Sequence, residues 1–592
     1  MTEESTAMPL SGNPLAAISE TREAGPPLTR AWLAMAWRRL LFPYWISEDR
    51  WQGRGLLALV IALDCAGVYL AIRVSYWQRD YWDALAAHNI NAFWDLMLFF
   101  IVIICFGSAF GAARTWFYQA LEMRWRNWMT DVFLHRWLDE KAYYRIARAG
   151  GTDNPDQRIG EDLRMMASDS LRLSLGLLSN VIQLFSYAVI VWGLSGSLAF
   201  AFAGVHFEIP GYMLWIALIY AVGCTWLLEK IGHPLVHADY WQQRYEAHFR
   251  FLMMRVRENA EQIAFYSGGH AETTRLSAAF RSIRENWRRL MNYKLRISFF
   301  YEAYMEIGAY LPLFIMAPRY FAGLLTLGAL QQLNQAFGRV RMILSWFIFS
   351  YQSLALLRSV FHRLLEFDAA TQAREADGIA VTRSIWADCL VIHALDLCLP
   401  NGERLAHIDG IHIRAGERWL IRGPSGAGKS TLLRALAGLW PHGGGEIALP
   451  DGAKMFLPQQ SYLPPGSLRE CLCYPSDAQW FGTRECIEVL RAVRLEGLTG
   501  QLEEHDQWDK RLSPGEQQRL AFARVLLHKP AWLFLDESTA SLDPDNEAAM
   551  YRLVQERLPD AAIVSVAHRE GVAAFHDRTL DMMGNGDCGD VR

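Results

Sequence analysis

Six apolar stretches mark the first part of the chain, at residues 56–72, 96–113, 173–205, 209–228, 297–317 and 342–357. A membrane span needs about 20 residues of helix. The second, third and fourth stretches meet that need outright. The first carries Asp64, the fifth carries Glu302 and Glu306, and the sixth is short. A weak stretch alone reads equally as a buried helix of a soluble domain. Six together predict a bundle of six spans.

Charge between the stretches sets an orientation. Residues 118–172 hold nine Lys or Arg and residues 229–298 hold twelve, while 204–208 hold none. Cytoplasmic loops are the basic ones, and near the membrane Arg124, Arg126, Arg172, Lys230, Lys294 and Arg296 count most. Both termini and both long loops are therefore expected in the cytoplasm. Loops of 55 and 70 residues are too long for turns and read as helices continued into the cytosol. Residues 1–54 read as a cytoplasmic tail and elbow, with the first 27 polar and without the apolar core of a signal peptide. Residues 55–365 read as the six-helix region, 366–384 as a linker, and 385–592 as an α/β domain.

Composition supports this division. Hydrophobic residues make up 52% of the chain and aromatics 13%, with 23 Trp. The net charge of −4 gives no field for nucleic acid. Nine scattered Cys, without metal spacing, read as reduced or buried thiols.

The second half carries chemistry. GPSGAGKST runs from Gly423 to Thr431, between an apolar strand at 419–421 and a helix at 432–439. That context is what a phosphate-binding loop requires. Gly423, Gly426 and Gly428 let the backbone of Pro424, Ser425 and Ala427 curl around phosphate oxygens. Lys429 is expected on the β/γ-phosphates and Ser430 on Mg²⁺. WLFLDE ends a strand in two acids, Asp536 for Mg²⁺ and Glu537 as general base. FLPQ ends in Gln459, a candidate ligand of Mg²⁺ and the attacking water. LSPGEQQR contributes Ser513, Gly515 and Glu516. SLD ends in Asp543, and SVAHR places His568 after a second apolar strand.

Six such motifs in this order resemble the ABC ATPases. The resemblance implies ATP and Mg²⁺ as cofactors and a homodimer. In it Ser513 and Gly515 reach the γ-phosphate held by the opposite subunit, Asp543 reports across the dimer and His568 is the switch on the γ-phosphate. Two departures from the usual LSGGQ are Pro514, which removes a backbone donor, and Glu516, which brings a charge toward phosphate. The aromatic that usually stacks adenine is absent from 397–401, and Trp386 lies too far upstream.

The run NPDQRIGED from Asn154 to Asp162 and the stretch from Glu246 to Tyr266 resemble the SbmA/BacA-like peptide-uptake proteins and their ATPase-bearing YddA-type relatives. The peroxisomal ABCD fatty-acyl transporters are similar too. That likeness implies a six-span exporter-type fold in the lipid bilayer of a bacterial inner membrane, with a small-molecule or peptide substrate. Glu302 and Glu306, four apart on one helical face, suggest a cationic cargo if they line the cavity. Three functions follow: ATP-driven uptake of hydrophilic or peptide-like solutes, export or flipping of lipid or acyl conjugates, and a regulatory ATPase without transport.

Overall fold

The computed structural model describes residues 30–149, 154–202, 205–373, 378–384, 388–582 and 590–591. The chain divides into two compact units, Met1–Gln372 and Ala373–Arg592.

The first unit is built on six long helices: α1 (Arg50–Ala86), α2 (Ile90–Leu138), α3 (Leu163–Ser195), α4 (Tyr212–Glu258), α5 (Gly269–Phe321) and α6 (Leu327–Gln372). At about 1.5 Å per residue, the 53 residues of α5 extend about 80 Å. A bilayer core is about 30 Å thick, so much of each longer helix projects beyond it. The helices containing α1 to α4 are long and apolar enough to cross a membrane. Alpha-helices α5 and α6 have the length but carry more charge, as the weak fifth and sixth stretches foreshadow. Helices pack as α1 on α2, α4 on α5 and α3 on α6. The α1–α2 turn is tight: His88 is left-handed at φ 55°, and the Asn89 side chain caps α2 through the amide of Ala92.

The third apolar stretch is not one helix. Gly196 sits at φ 64° and ends α3. Strands β1 (Ser197–Phe202) and β2 (Val205–Pro210) then form an antiparallel hairpin, and Gly211, at φ 65°, starts α4. Residues 198–202, read as span, alternate Leu and Phe with Ala at β spacing. Arg319 closes this end by donating to the carbonyl of Ser195.

Two apolar clusters hold the unit. One, at the end with the hairpin, packs Tyr187, Met213, Met316 and Phe337 from four helices. The other joins Leu40 and Tyr44 of the short N-terminal helices to Trp125, Leu163 and Phe367. Two buried carboxylates reinforce the second. Asp162 is 1% exposed and takes two bonds from Arg363, at 2.6 and 2.8 Å, and one from Arg158 at 3.0 Å. Asp368, equally buried, is held by Arg136 at 2.5 Å and Arg39 at 3.4 Å. Asp162 ends the NPDQRIGED run, whose entry turn is set by left-handed Asn154 at φ 50°. The sequence places the start of the linker at 366, yet α6 continues to Gln372 because Phe367 and Asp368 are core residues.

The second unit begins earlier than 385. Strand β3 (Ala380–Arg383) pairs with β8 (Gly443–Leu449), which joins β4 (Cys389–Cys398), β5 (Arg404–Ile408) and β6 (Ile411–Arg414) in a mixed sheet. The main sheet holds β7 (Arg418–Arg422), β9 (Lys454–Leu457), β10 (Trp532–Asp536), β11 (Ala562–Val566) and β12 (Arg578–Asp581), all parallel, in the order β12-β7-β11-β10-β9. Its central strands β10 and β11 are nearly continuous apolar runs, as burial on both faces requires. The eight described cysteines are free thiols.

Replacing Asp162 by Ala leaves two partly buried arginines without their shared carboxylate. Losing one partner of such a network typically costs about 3–5 kcal/mol. The expected result is a clear fall in the thermal midpoint of the detergent-purified protein. An unchanged midpoint would mean that Arg363 and Arg158 find other partners.

Candidate active site

Parallel strands deliver loops from their carboxyl ends to one side of a sheet. Four neighbours here, β7, β11, β10 and β9, lead to the 423–428 loop, to His568, to Asp536–Glu537 and to Gln459 respectively.

The loop after β7 is conformationally demanding. Gly423, Gly426 and Gly428 have φ of 148°, 85° and 88°, which L side chains rarely adopt. A Cβ on Gly423 would lie 2.2 Å from the carbonyl oxygen of Met582. That backbone is fixed where Met582 N–H donates to Arg422. Pro424, Ser425 and Gly426 form the exposed rim, while Ala427 is buried and donates its amide to Pro424. Helix α7 (Lys429–Leu436) starts directly below, with Thr431 in its first turn. Lys429 is buried, and its Nζ donates to the carbonyls of Gly423 and Pro424 at 2.9 and 2.8 Å. Burial pushes its pKa down, against the pull of Glu537 and Asp536.

Ser430 Oγ donates to Asp536 Oδ1 at 2.8 Å. Burial raises the Asp536 carboxyl above its ordinary range, and the Ser430 bond opposes that. A hydroxyl beside a carboxylate, next to a glycine loop and a lysine, fits Mg²⁺ bound together with a nucleotide's phosphates.

Glu537 is the centre of the arrangement. It is left-handed at φ 48°, a strained state for a non-glycine residue. Its amide donates to Val566 on the neighbouring strand. One carboxylate oxygen lies 2.9 Å from His568 Nε2, and the other accepts from Gln459 Nε2 at 3.2 Å. The three residues read from sequence as catalytic thus meet on one side chain.

The LSPGEQQR loop is organised as a helix cap. Ser513 caps α8 (Pro514–His528), and Pro514 occupies its first position, where a missing N–H costs nothing. Glu516 is the third residue of that helix. It folds back, accepting from Ser513 N–H at 2.9 Å and Ser513 O–H at 2.7 Å. The Ser513 hydroxyl bond holds the Glu516 carboxyl below its usual range. Gly515 is close-packed, with its Cβ position 3.3 Å from the Ser541 carbonyl. Asp543 caps α9 (Pro544–Arg557), taking the Asn546 amide at 2.8 Å, which lowers its pKa.

Two residues escaped the sequence reading. Gln518, 4% exposed, accepts the Ser541 amide at 2.9 Å and donates to the Gln459 carbonyl at 3.4 Å. Arg569 donates to the Leu542 carbonyl at 2.6 Å. Both stand inside motifs already noticed, which was the available signal. For adenine, β4 brings Cys398, whose carbonyl accepts from Trp440 Nε1; Trp386 lies outside the described residues.

Comparisons with known proteins identify the family of both units. Residues 40–321 match the family "ABC transporter transmembrane region 2" and residues 408–540 match "ABC transporter". The chain is 32% identical to the inner membrane ABC transporter ATP-binding protein YddA of Escherichia coli, over 94% of this chain and 99% of that one. It is 31% identical to ABC transporter D family member 2, chloroplastic, of Arabidopsis thaliana, covering 91% and 85%. The human lysosomal cobalamin transporter ABCD4 is 27% identical, covering 93% and 94%. In fold, a bacterial Atm1-family ABC exporter with ATP bound superposes with TM-score 0.68 at 17% identity, covering 89% of this chain and 94% of that one.

Glu537→Gln is expected to retain nucleotide and lose turnover, since loss of a positioned base costs on the order of 10²–10⁴ in rate. Near-normal phosphate release would show that another group takes the proton. Lys429→Ala is expected to weaken binding itself by at least about tenfold, or about 1.4 kcal/mol, in a nucleotide titration. Pro514→Gly is expected to leave ATPase activity intact or modestly raised, because Ser513 and Glu516 still cap α8. A dead Pro514→Gly variant would assign the proline a shaping role beyond its missing N–H.

Proposed function

We propose that this chain, which belongs to the ABC transporter family, pairs with a second copy of itself and takes up a polar, peptide-like solute. Members couple ATP hydrolysis to transport across the membrane that their helical unit spans, and the same holds for this chain. The observation that carries the reading is the meeting of Gln459, Glu537 and His568 beside Lys429, Ser430 and Asp536, in a chain whose other unit is built of membrane-length helices.

The chain's own residues divide the work. Lys429 exchanges its two carbonyl partners for the β/γ-phosphates, cradled by the amides of the 423–428 loop. Ser430 and Asp536, with Gln459, would hold Mg²⁺, which would offset charge on the phosphates. Bound ATP supplies the phosphoanhydride bond whose cleavage drives the cycle. Glu537 takes the proton from water, with Gln459 and His568 fixing the carboxylate's direction. Ser513 and Gly515 of the second copy close the site, Glu516 keeps the Ser513 turn in shape, and Asp543 anchors the neighbouring loop.

Direction and cargo rest on other support. The 154–162 and 246–266 segments resemble peptide-uptake proteins, and one relative is named as a cobalamin transporter. Glu302 and Glu306 are exposed one turn apart on α5, available to a basic solute. The loop charges and the inner-membrane relative support a bacterial inner membrane with both termini in the cytoplasm. Export or flipping of acyl conjugates is the second reading, supported by the resemblance to the ABCD group.

Cells carrying the wild-type protein or Lys429→Ala and challenged with a toxic cationic peptide separate these readings. Uptake makes wild-type cells the more sensitive. Export makes them the more resistant, and equal sensitivity removes cationic peptides from the cargo.

A further inference from the structure

A cavity of about 720 Å³ opens among α1, α2 and α3, lined by Asp64, Gly67, Gly107, Gly111, Arg114 and Gln183 among others. Its size suits a small ligand. Asp64 lies at the midpoint of the apolar stretch 56–72, where a carboxylate has no place without a partner or a task. The side chain is nine-tenths buried. Oδ1 accepts from Nε of Arg114. Oδ2 is buried and has no hydrogen-bond partner among the described residues. On Arg114, Nε carries the described bond, and the side chain is 39% exposed. Glycines widen the space beside the pair: at Gly67, Gly107 and Gly111 an added Cβ would meet nothing within 4 Å.

We infer that the Asp64–Arg114 pair is a recognition point for an amino-acyl or peptide unit, whose N–H or ammonium donor meets Asp64 Oδ2 and whose carbonyl or carboxylate meets the Arg114 guanidinium. The pair is neutral as a whole, so a ligand of net charge leaves an uncompensated charge in a low-dielectric wall. A donor and an acceptor on adjacent atoms satisfy both free edges. Amino-acid units carry that pairing at their ends, as ammonium and carboxylate, and along the backbone, as N–H and C=O. Gln183 adds an amide of the same character. This inference rests on the transport reading above and narrows its cargo at a site away from Glu302 and Glu306.

The test uses the full-length protein in phosphatidylcholine nanodiscs and calorimetric binding of four probes: trialanine, N-acetylalanine N-methylamide, tetralysine and succinate. Trialanine and the capped alanine are expected to bind, and their ratio distinguishes recognition of free ends from recognition of the backbone. Asp64→Asn preserves size but turns the free acceptor into a donor. It is expected to weaken both ligands at least about tenfold, with an unchanged gel-filtration profile. Gly107→Leu fills the cavity without touching a charge and is expected to do the same, which covers an Asp64 variant that fails to fold. Unchanged affinity in a folded Asp64→Asn or in Gly107→Leu overturns the inference. So does tighter binding of succinate, tighter binding of tetralysine that Asp64→Asn or Gly107→Leu weakens, or binding of neither trialanine nor the capped alanine. Binding is read without translocation. A protein that binds trialanine and carries nothing inward keeps the site and loses the uptake reading. One that carries trialanine inward equally well in both variants keeps uptake and loses the site.

Discussion

Hydrocarbon offers a peptide backbone nothing to bond with, and that constraint shapes the first unit more than any contact in it. Each N–H and C=O at membrane depth must be satisfied inside its own helix. The result is six helices of 33 to 53 residues, with the strand pairing of β1 and β2 confined to a short turn region. Polar side chains are admitted on the same terms. Tyr304 shares a hydrogen bond with Ser345 at 2.9 Å, and Arg341 is buried against the carbonyls of Tyr304 and Met305. Asp64, with one oxygen paired and one not, departs from this rule, as do the side-chain oxygens of Gln332, Asn334 and Gln335.

The second unit answers to a different constraint, the convergence of loops at one sheet edge. Strand order alone brings residues far apart in sequence within hydrogen-bond reach of Glu537. Its left-handed backbone is held by the Val566 carbonyl on one side and by His568 and Gln459 on the other. Strain of this kind persists only where surrounding structure over-determines it. Gln518 ties the Gln459 backbone to the loop before Asp543, so the pieces of the site are joined by bonds as well as by proximity.

Much of this was legible beforehand, for physical reasons. A phosphate loop is local: its glycines, lysine and serine are adjacent, so the sequence displays the site almost whole. Membrane helices are legible because the requirement for about 20 apolar residues is compositional. What was hidden depends on pairing across distance. Asp162 looked like part of a family signature, but its partner Arg363 sits on another helix, and nothing near either residue announces the other. The hairpin after Gly196 was hidden by its apolarity, which suited a span as well as a strand. The capping role of Glu516 was hidden because a charge in a motif suggests a ligand, whereas its backbone position as the third residue of a helix also makes it a cap.

Gly423 shows how far such dependence reaches. The most recognisable motif in the chain is pressed against the Met582 carbonyl, close to the end of the described polypeptide. A side chain at Gly423 would meet a backbone oxygen that any residue at 582 carries, so no substitution there makes room for it. Transplanting the loop into another scaffold would carry its letters without its mould. For the same reason the loop has no finished mould until β12 and Met582 are in place.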